Sequence, residues 1–194
     1  MTQISAKTRN TPLTRVSQCD IFHDLEVVQD IIPNCNGIEV VSLKFPLMIC
    51  LNQDCDLNSD NRDKQNPSSN KDCRLLHLIF APVFNFDLFR QGKHWGEIFQ
   101  TGQNYNPNRT DGKKIMNNED PRFHFLHFED KRLFPDLVID FKHFYTVSTE
   151  YINKNLDKRV CSIEDLYREK ISQRFAYYLS RIGLPDVTDQ PHGV

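Results

Sequence analysis

The segments LLHLIFAPVF (residues 75–84) and LMICL (residues 47–51) decide the fold. Both are apolar at successive positions, so each would bury both of its faces. Both are also short and lie close to proline, which favours strands over helices. We therefore predict two central β-strands that form the core of the protein.

A third apolar segment, VIDFKHFYTVS (residues 138–148), alternates instead of running continuously. An alternation of period two is typical of an antiparallel strand with one face buried. The packed face would carry Ile139, Phe141, His143, Tyr145 and Val147. Ile38 and Val40, on either side of Glu39, show the same pattern in another predicted strand.

Two segments are predicted to be helices. The first covers residues 86–99, with Asn85 as its N-cap, although Gly92 and Gly96 weaken it. The second covers residues 162–182, with Ser162 as its N-cap and Gly183 followed by Pro185 after its end. Its apolar positions recur every three or four residues, which predicts that one side docks on a sheet. They are Ile163, Leu166, Tyr167, Ile171, Phe175, Tyr178, Leu179 and Ile182.

The 194 residues suit a single domain, which we place at 16–184 between flexible tails at 1–15 and 185–194. Two polar stretches, 58–72 and 100–120, are predicted to be long loops. The predicted fold class is α+β. It consists of a small, strongly bent antiparallel sheet or SH3-like barrel with a mid-chain helix and a long C-terminal helix.

The charge balance excludes one class of function. The chain has 24 Lys and Arg against 26 Asp and Glu, so any binding of nucleic acid requires a local basic patch. No apolar run approaches the roughly 20 residues of a membrane-spanning helix, and the first nineteen residues contain no apolar signal segment. These features predict a cytoplasmic protein without a membrane partner, whose six cysteines are reduced.

Asp54, Cys55 and Asp56 follow directly on a predicted core strand, where scaffolds commonly present reactive groups. Cys55 could act as a nucleophile if His124 or His127 accepted its proton, but the flanking carboxylates disfavour a thiolate. The alternative is a polar turn in which the carboxylates cap backbone amides. Because both histidines fall in a predicted strand three residues apart, we expect them on opposite faces with separate hydrogen bonds.

Four residues could in principle surround a zinc ion, namely Cys50, Cys55, Cys73 and His77. Their spacing lacks the Cys-x-x-Cys pair that forms half of a tetrahedral site. We therefore predict no metal and no cofactor.

A basic stripe is the candidate nucleic-acid interface. Lys170, Arg174, Tyr177 and Arg181 stand at offsets 0, 4, 7 and 11 on the last predicted helix, opposite its apolar face. Cations with one aromatic ring suit a phosphate backbone and a stacked base. The alternative interpretation is an ordinary solvated helix face.

The order of these pieces resembles that of the PemK/MazF family of toxins, over residues 18–184. The family's Gly-Asp before an apolar pair corresponds to CDIF (residues 19–22), its Arg-Pro to Phe45-Pro46, and its Ala-Pro to Ala81-Pro82. The resemblance implies an SH3-like barrel that carries one or two helices. It also implies a role in bacterial defence or in a toxin–antitoxin pair.

The resemblance implies that catalysis in that family uses the Arg of the Arg-Pro pair and a Thr or Ser soon after the Ala-Pro. Phe45 and Phe84 occupy those positions here, and a phenyl ring can neither stabilise phosphate charge nor move a proton. Lys44 is adjacent, but neighbouring side chains of a strand point to opposite faces. These departures argue against the family's ribonuclease mechanism.

Two hypotheses of function follow. The favoured one is a non-enzymatic module that binds nucleic acid or a protein through the long loops and the basic stripe. The alternative is a divergent, metal-independent endoribonuclease or hydrolase that uses Asp54, Cys55, Asp56 and a histidine, with His127 as the first choice. RNA, DNA, another protein and a second copy of the chain are the candidate partners.

Overall fold

A computed structural model describes residues 6–9, 14–35, 37–66, 74–99, 112–129 and 134–181. Within these ranges, eight strands and six α-helices form one α+β unit. The strands are β1 (Thr8–Arg9), β2 (Asp20–Asn34), β3 (Gly37–Cys50), β4 (His77–Asn85), β5 (Phe123–Leu126), β6 (Leu137–Asp140), β7 (Tyr145–Ser148) and β8 (Arg159–Ile163). The helices are α1 (Asp54–Gln65), α2 (Phe86–Arg90), α3 (Gly96–Phe99), α4 (Gly112–Met116), α5 (Thr149–Lys154) and α6 (Asp165–Leu179).

The strands form one antiparallel sheet in the order β1-β8-β2-β3-β4-β6-β5, and β7 also pairs with β4. The sheet curls strongly into a half-barrel, and α6 packs against it. The predicted fold class, an α+β small barrel with a C-terminal helix, is therefore confirmed. The two predicted central strands are also confirmed, as the end of β3 and as β4. Thr8–Arg9, within the segment predicted as a tail, forms β1 and pairs with β8.

The core lies on both faces of the curled sheet, because successive residues of a strand point to opposite sides. Phe22 of β2 and Met48 of β3 belong to one hydrophobic cluster. Their neighbours Ile21 and Ile49 belong to the other cluster, where Ile171 and Phe175 of α6 also pack. Helix α6 is thus held by the second cluster.

The single strand predicted at 138–148 is wrong in one respect. Residues 137–139 and residues 145–148 do pair with β4, but a 3₁₀ turn at Phe141–His143 separates β6 from β7. The Asp140 carboxylate accepts hydrogen bonds from Lys142 N at 3.0 Å and from the Arg122 guanidinium at 2.8 and 2.6 Å. This buried carboxylate caps the turn and interrupts the alternation of faces.

The helix predicted at 86–99 is also wrong, because it is divided into α2 and α3. Asn85 caps α2 as predicted, since its Oδ1 accepts hydrogen bonds from Asp87 N and Leu88 N. The helix then ends in a Schellman motif: Lys93 N donates to Leu88 O, and Gly92, with φ of 71°, donates to a carbonyl of the last turn. Gly92, which in the sequence only weakens the predicted long helix, is thus the residue that ends α2.

The last helix is confirmed, but its start and its exposed residues differ from the prediction. Helix α6 begins at Asp165, and Ser162 belongs to β8, where its hydroxyl bonds to the buried Asp20 carboxylate. Leu166 and Leu179, which were predicted to pack, are exposed. Ile182 and the predicted stop at Gly183 and Pro185 lie outside the described residues.

Parts of both predicted loops are helical. Helix α1 covers the start of the first loop, and its buried Asp60 accepts a hydrogen bond from Leu75 N at 3.0 Å. Helix α4 covers part of the second loop and buries Ile115. Residues 67–73, 100–111 and 185–194 lie outside the described parts of the chain. None of the described helices has the length and apolar character needed to span a membrane.

Candidate functional site

Asp54, the first predicted catalytic residue, begins α1 and is engaged in ion pairs. Arg15 approaches both carboxylate oxygens at 3.0 Å, and an Arg168 nitrogen lies 3.6 Å away. Gln18 N donates a further hydrogen bond at 3.2 Å. Burial opposes ionisation of Asp54, but the hydrogen bonds and the arginine charges outweigh it and lower its pKa. Asp54 therefore ties α1 to α6 and to the chain before β2.

Cys55 and Asp56 lie in the first turn of α1 and are exposed. Cys55 Sγ lies 3.5 Å from the side-chain oxygens of both Gln53 and Asp56. The cleft of about 400 Å³ beside Asp54 is lined by Cys55, Arg168, Ser172 and other described residues, and no histidine is among these. Among the described residues, no group of three or more His, Cys, Asp or Glu side chains is suited to hold a metal ion.

His124 and His127 line a different cavity, of about 610 Å³, between the β5 end and α6. The strand prediction for this segment is confirmed, because His124 lies in β5. The four consecutive residues 124–127 all line this cavity, so the shared lining does not place the two rings on one face, and the His127 ring stacks on that of Phe125, two residues earlier. Both histidines therefore lie at this cavity, away from the cleft at Asp54.

The two histidines have different surroundings. His127 Nδ1 lies 2.9 Å from the Asp136 carboxylate. His124 is 5 % exposed, and its Nδ1 has no hydrogen-bond partner among the described residues. Burial, supported by the charges of Arg174 and Lys170, lowers the pKa of His124 to about 3. Its ring is therefore neutral at ordinary pH.

The predicted basic stripe is divided between structural and exposed residues. Arg174 donates to the carbonyl oxygens of Asn118, Asp120 and Phe123 at 2.6, 2.7 and 2.8 Å. These bonds clamp the turn between α4 and β5, so the guanidinium does not point to solvent. The stripe adjoins the packed face of α6 instead of opposing it as predicted, because Arg174 is three residues after buried Ile171.

The other three members of the stripe are exposed. Lys170 lines the cavity of the two histidines. The Arg181 guanidinium lies 4.5 Å from the centre of the Tyr178 ring, and Tyr177 extends into solvent. A continuous phosphate-binding row of four side chains is therefore not formed.

The two positions at which the PemK/MazF family carries its catalytic groups are buried in an aromatic cluster. The Phe45 ring is 5.0 Å from that of Tyr145 and 6.5 Å from that of Trp95, and the Phe84 ring is 4.9 Å from Trp95. Lys44 is exposed on the opposite face of β3. Phe45 and Phe84 therefore stabilise the core.

The surface that the sequence failed to reveal is an arm of the sheet, formed by residues 28–34 of β2 and 37–42 of β3. Strand β8 pairs with β2 only at residues 20–22, and β4 pairs with β3 only at residues 48–50. Beyond these points, β2 and β3 pair with each other and with no other described strand. Within the described parts of the chain, the arm therefore has two open edges, and the side chains on both of its faces are exposed.

The two faces of the arm differ in polarity, because residues paired across antiparallel strands share a face. We call one of them the outward face; it carries the pairs Val28 with Ser42, Ile31 with Val40, and Pro33 with Ile38. The four aliphatic side chains are 56, 57, 57 and 72 % exposed for Val28, Ile31, Val40 and Ile38. The inward face pairs Asp30 with Val41 and Ile32 with Glu39.

The alternation at Ile38 and Val40 correctly predicts a strand, but it does not predict whether one face of that strand is buried. Alternation shows which residues share a face, and it does not show whether another element covers that face. Comparison with known proteins adds no assignment: no family model, no curated protein and no solved structure matches this chain.

Proposed function

We propose that the protein is a protein-interaction module that associates through the outward face of the arm, with a second copy of the chain as its partner. The observation that carries this proposal is the group of exposed aliphatic residues on that face, Val28, Ile31, Ile38 and Val40. Contiguous exposed apolar surface marks interaction sites. A two-stranded hairpin without support is also only marginally stable in water, so a partner would stabilise it.

The charge of the arm favours a protein over nucleic acid. Residues 27–43 contain no Lys or Arg, and the charged residues of the arm are Asp30 and Glu39. An acidic surface repels a phosphate backbone. Arg174, the central cation of the basic stripe, is held by backbone carbonyls. The nucleic-acid hypothesis therefore has less support.

The choice of a second copy rests on the distribution of these charges. Both acidic residues of the arm lie on the inward face, and the outward pairs between Val28 and Ile38 are uncharged. Two outward faces can therefore pack against each other without bringing like charges together. Such an interface is isologous, as in most homodimers.

The ribonuclease hypothesis lacks a comparable observation. It requires a histidine beside Asp54, whereas none of the described residues that line the cleft there is a histidine. A relationship to PemK/MazF toxins stays a proposal, and the fold that it implies, a small curled barrel with a C-terminal helix, agrees with the fold class found here. Phe45 and Phe84 in the core agree with a binding role for a chain of that kind.

Sedimentation velocity over a range of protein concentrations tests the proposal. We expect a dimer for the wild type, a monomer for Ile31→Lys, and a dimer for the matched control Ile32→Lys. The two isoleucines are adjacent and 57 and 42 % exposed, but they point to opposite faces. Val40→Lys, at the position that pairs with Ile31, should also be monomeric. Circular dichroism verifies that each variant is folded.

A monomeric wild type, or equal effects of Ile31→Lys and Ile32→Lys, would overturn the self-association. Incubation of the protein with end-labelled single-stranded RNA tests nucleic-acid binding and ribonuclease activity. Retarded RNA would favour nucleic-acid binding, and cleaved RNA would favour the enzyme.

A further inference from the structure

We propose that the cavity beside His124 binds a small carboxylate with an apolar body. The cavity measures about 610 Å³, within the range typical of small-molecule sites. It lies between the β5 end, the turn after α4, and α6, and it shares no lining residue with the arm. This inference is therefore independent of the proposed self-association.

The walls of the cavity suit an apolar body. Met116, Phe125, Leu126 and Tyr167 contribute to the lining. Leu166, at the first turn of α6, also lines it and is 80 % exposed. A ligand that filled the cavity would contact this side chain and remove apolar surface from water.

One polar group in the wall lacks a partner. His124 is almost fully buried, and its Nδ1 has no hydrogen-bond partner among the described residues. Buried polar atoms are normally hydrogen-bonded, so the unpaired Nδ1 of a ring that lines the cavity favours a ligand that supplies a partner. In the tautomer that carries its proton on the free nitrogen, the neutral ring can donate to a carboxylate oxygen.

The charges around the cavity favour an anion. Lys170 lines it, and no described carboxylate forms an ion pair with its ammonium group. The charges of Lys170 and Arg174 both act on the His124 ring and disfavour its protonation. Glu169 also lines the cavity, and Arg168 Nε, 3.5 Å from its carboxylate, offsets only part of its charge, because Arg168 also pairs with Asp54 and Asp165.

Binding of three probes with the same alkyl chain tests this proposal. Octanoate, octylamine and 1-octanol would each be titrated into the isotope-labelled protein and followed by NMR. We expect octanoate to bind most tightly, with shifts concentrated at Leu126, Leu166 and the His124 ring. Octylamine should bind most weakly, because Lys170 repels it.

Substitutions of single residues identify the charged group that binds the carboxylate. Lys170→Gln should weaken octanoate binding about tenfold and leave octanol unchanged. The control Lys142→Gln removes a charge outside the cavity and should change neither. His124→Phe keeps the ring volume and should reduce the preference for octanoate over octanol.

Equal affinities for the three probes would overturn the proposal. The same conclusion would follow if Lys170→Gln bound octanoate as tightly as the wild type, or if the shifts mapped to the arm.

Discussion

Replacement of Arg174 by Met should destabilise the fold strongly, although the sequence places this residue in a surface stripe. The guanidinium donates three hydrogen bonds of 2.6–2.8 Å to carbonyl oxygens of the α4–β5 turn. Burial lowers the pKa of Arg174, and the charge of Asp120 opposes this effect. The side chain is thus partly desolvated, and the three carbonyls replace lost water.

The expected magnitude follows from these bonds. A hydrogen bond to a charged group contributes roughly 1.5–3 kcal/mol, and we take the low end because the side chain is only half-buried. After a discount for solvent screening, loss of all three bonds should lower the free energy of unfolding by about 3 kcal/mol. Methionine retains most of the aliphatic stem, so little of this loss comes from packing.

Urea denaturation followed by far-UV circular dichroism measures the effect. The matched control Lys170→Met, on the same stripe but exposed, should change the free energy of unfolding by no more than about 0.5 kcal/mol. A loss of less than about 1 kcal/mol for Arg174→Met would refute the reasoning, because the carbonyl bonds would then contribute little net stability. If that variant instead kept its stability and lost RNA affinity, Arg174 would be a nucleic-acid contact.

Two further predictions concern backbone and protonation. Gly92→Ala should lower the free energy of unfolding in urea by about 1–2 kcal/mol, because φ of 71° is unfavourable with a Cβ, whereas no loss would contradict the Schellman assignment. Since the pKa of His124 falls from 6.5 to about 3 on folding, only the unfolded state gains a proton as pH falls through that range. The free energy of unfolding should therefore decline on acidification by about 1.4 kcal/mol per pH unit, and by at most about 5 kcal/mol in total. His124→Phe should show a shallower decline in urea denaturation between pH 7 and 4, and an unchanged slope would contradict the assignment.

The strands could be predicted from the sequence because their residues are β-branched, aromatic or continuously apolar. Leu47 to Cys50 and the core of β4 show this directly. The long helix could be predicted because its apolar spacing persists over four turns. Helix α1 could not, since Leu57 is its one buried apolar residue and a tertiary hydrogen bond from Leu75 N to Asp60 stabilises its packing. Local helix propensity is a weak predictor where tertiary contacts of this kind stabilise the helix.

The candidate sites were less predictable, because each depends on which residues the folded chain brings next to a given side chain. The spacing of Lys170 and Arg174 places them on one stripe, but the rotation of α6 is set by Ile171 and Phe175 in the core. That rotation turns Arg174 toward the carbonyls after α4. Likewise, Asp54 follows a core strand as expected, and only the folded chain brings Arg15 and Arg168 to it.

The uncovered arm links stability to association. Within the arm, β2 and β3 pair only with each other among the described strands, so the hydrogen bonds of residues 28–34 and 37–42 receive little support from the rest of the sheet. Covering the outward face would bury Val28, Ile31, Ile38 and Val40 and stabilise these bonds at the same time. By mass action, a partner that binds only the ordered arm shifts the equilibrium away from its locally unfolded form. The apolar face that reduces the stability of the isolated chain would then contribute to the free energy of association.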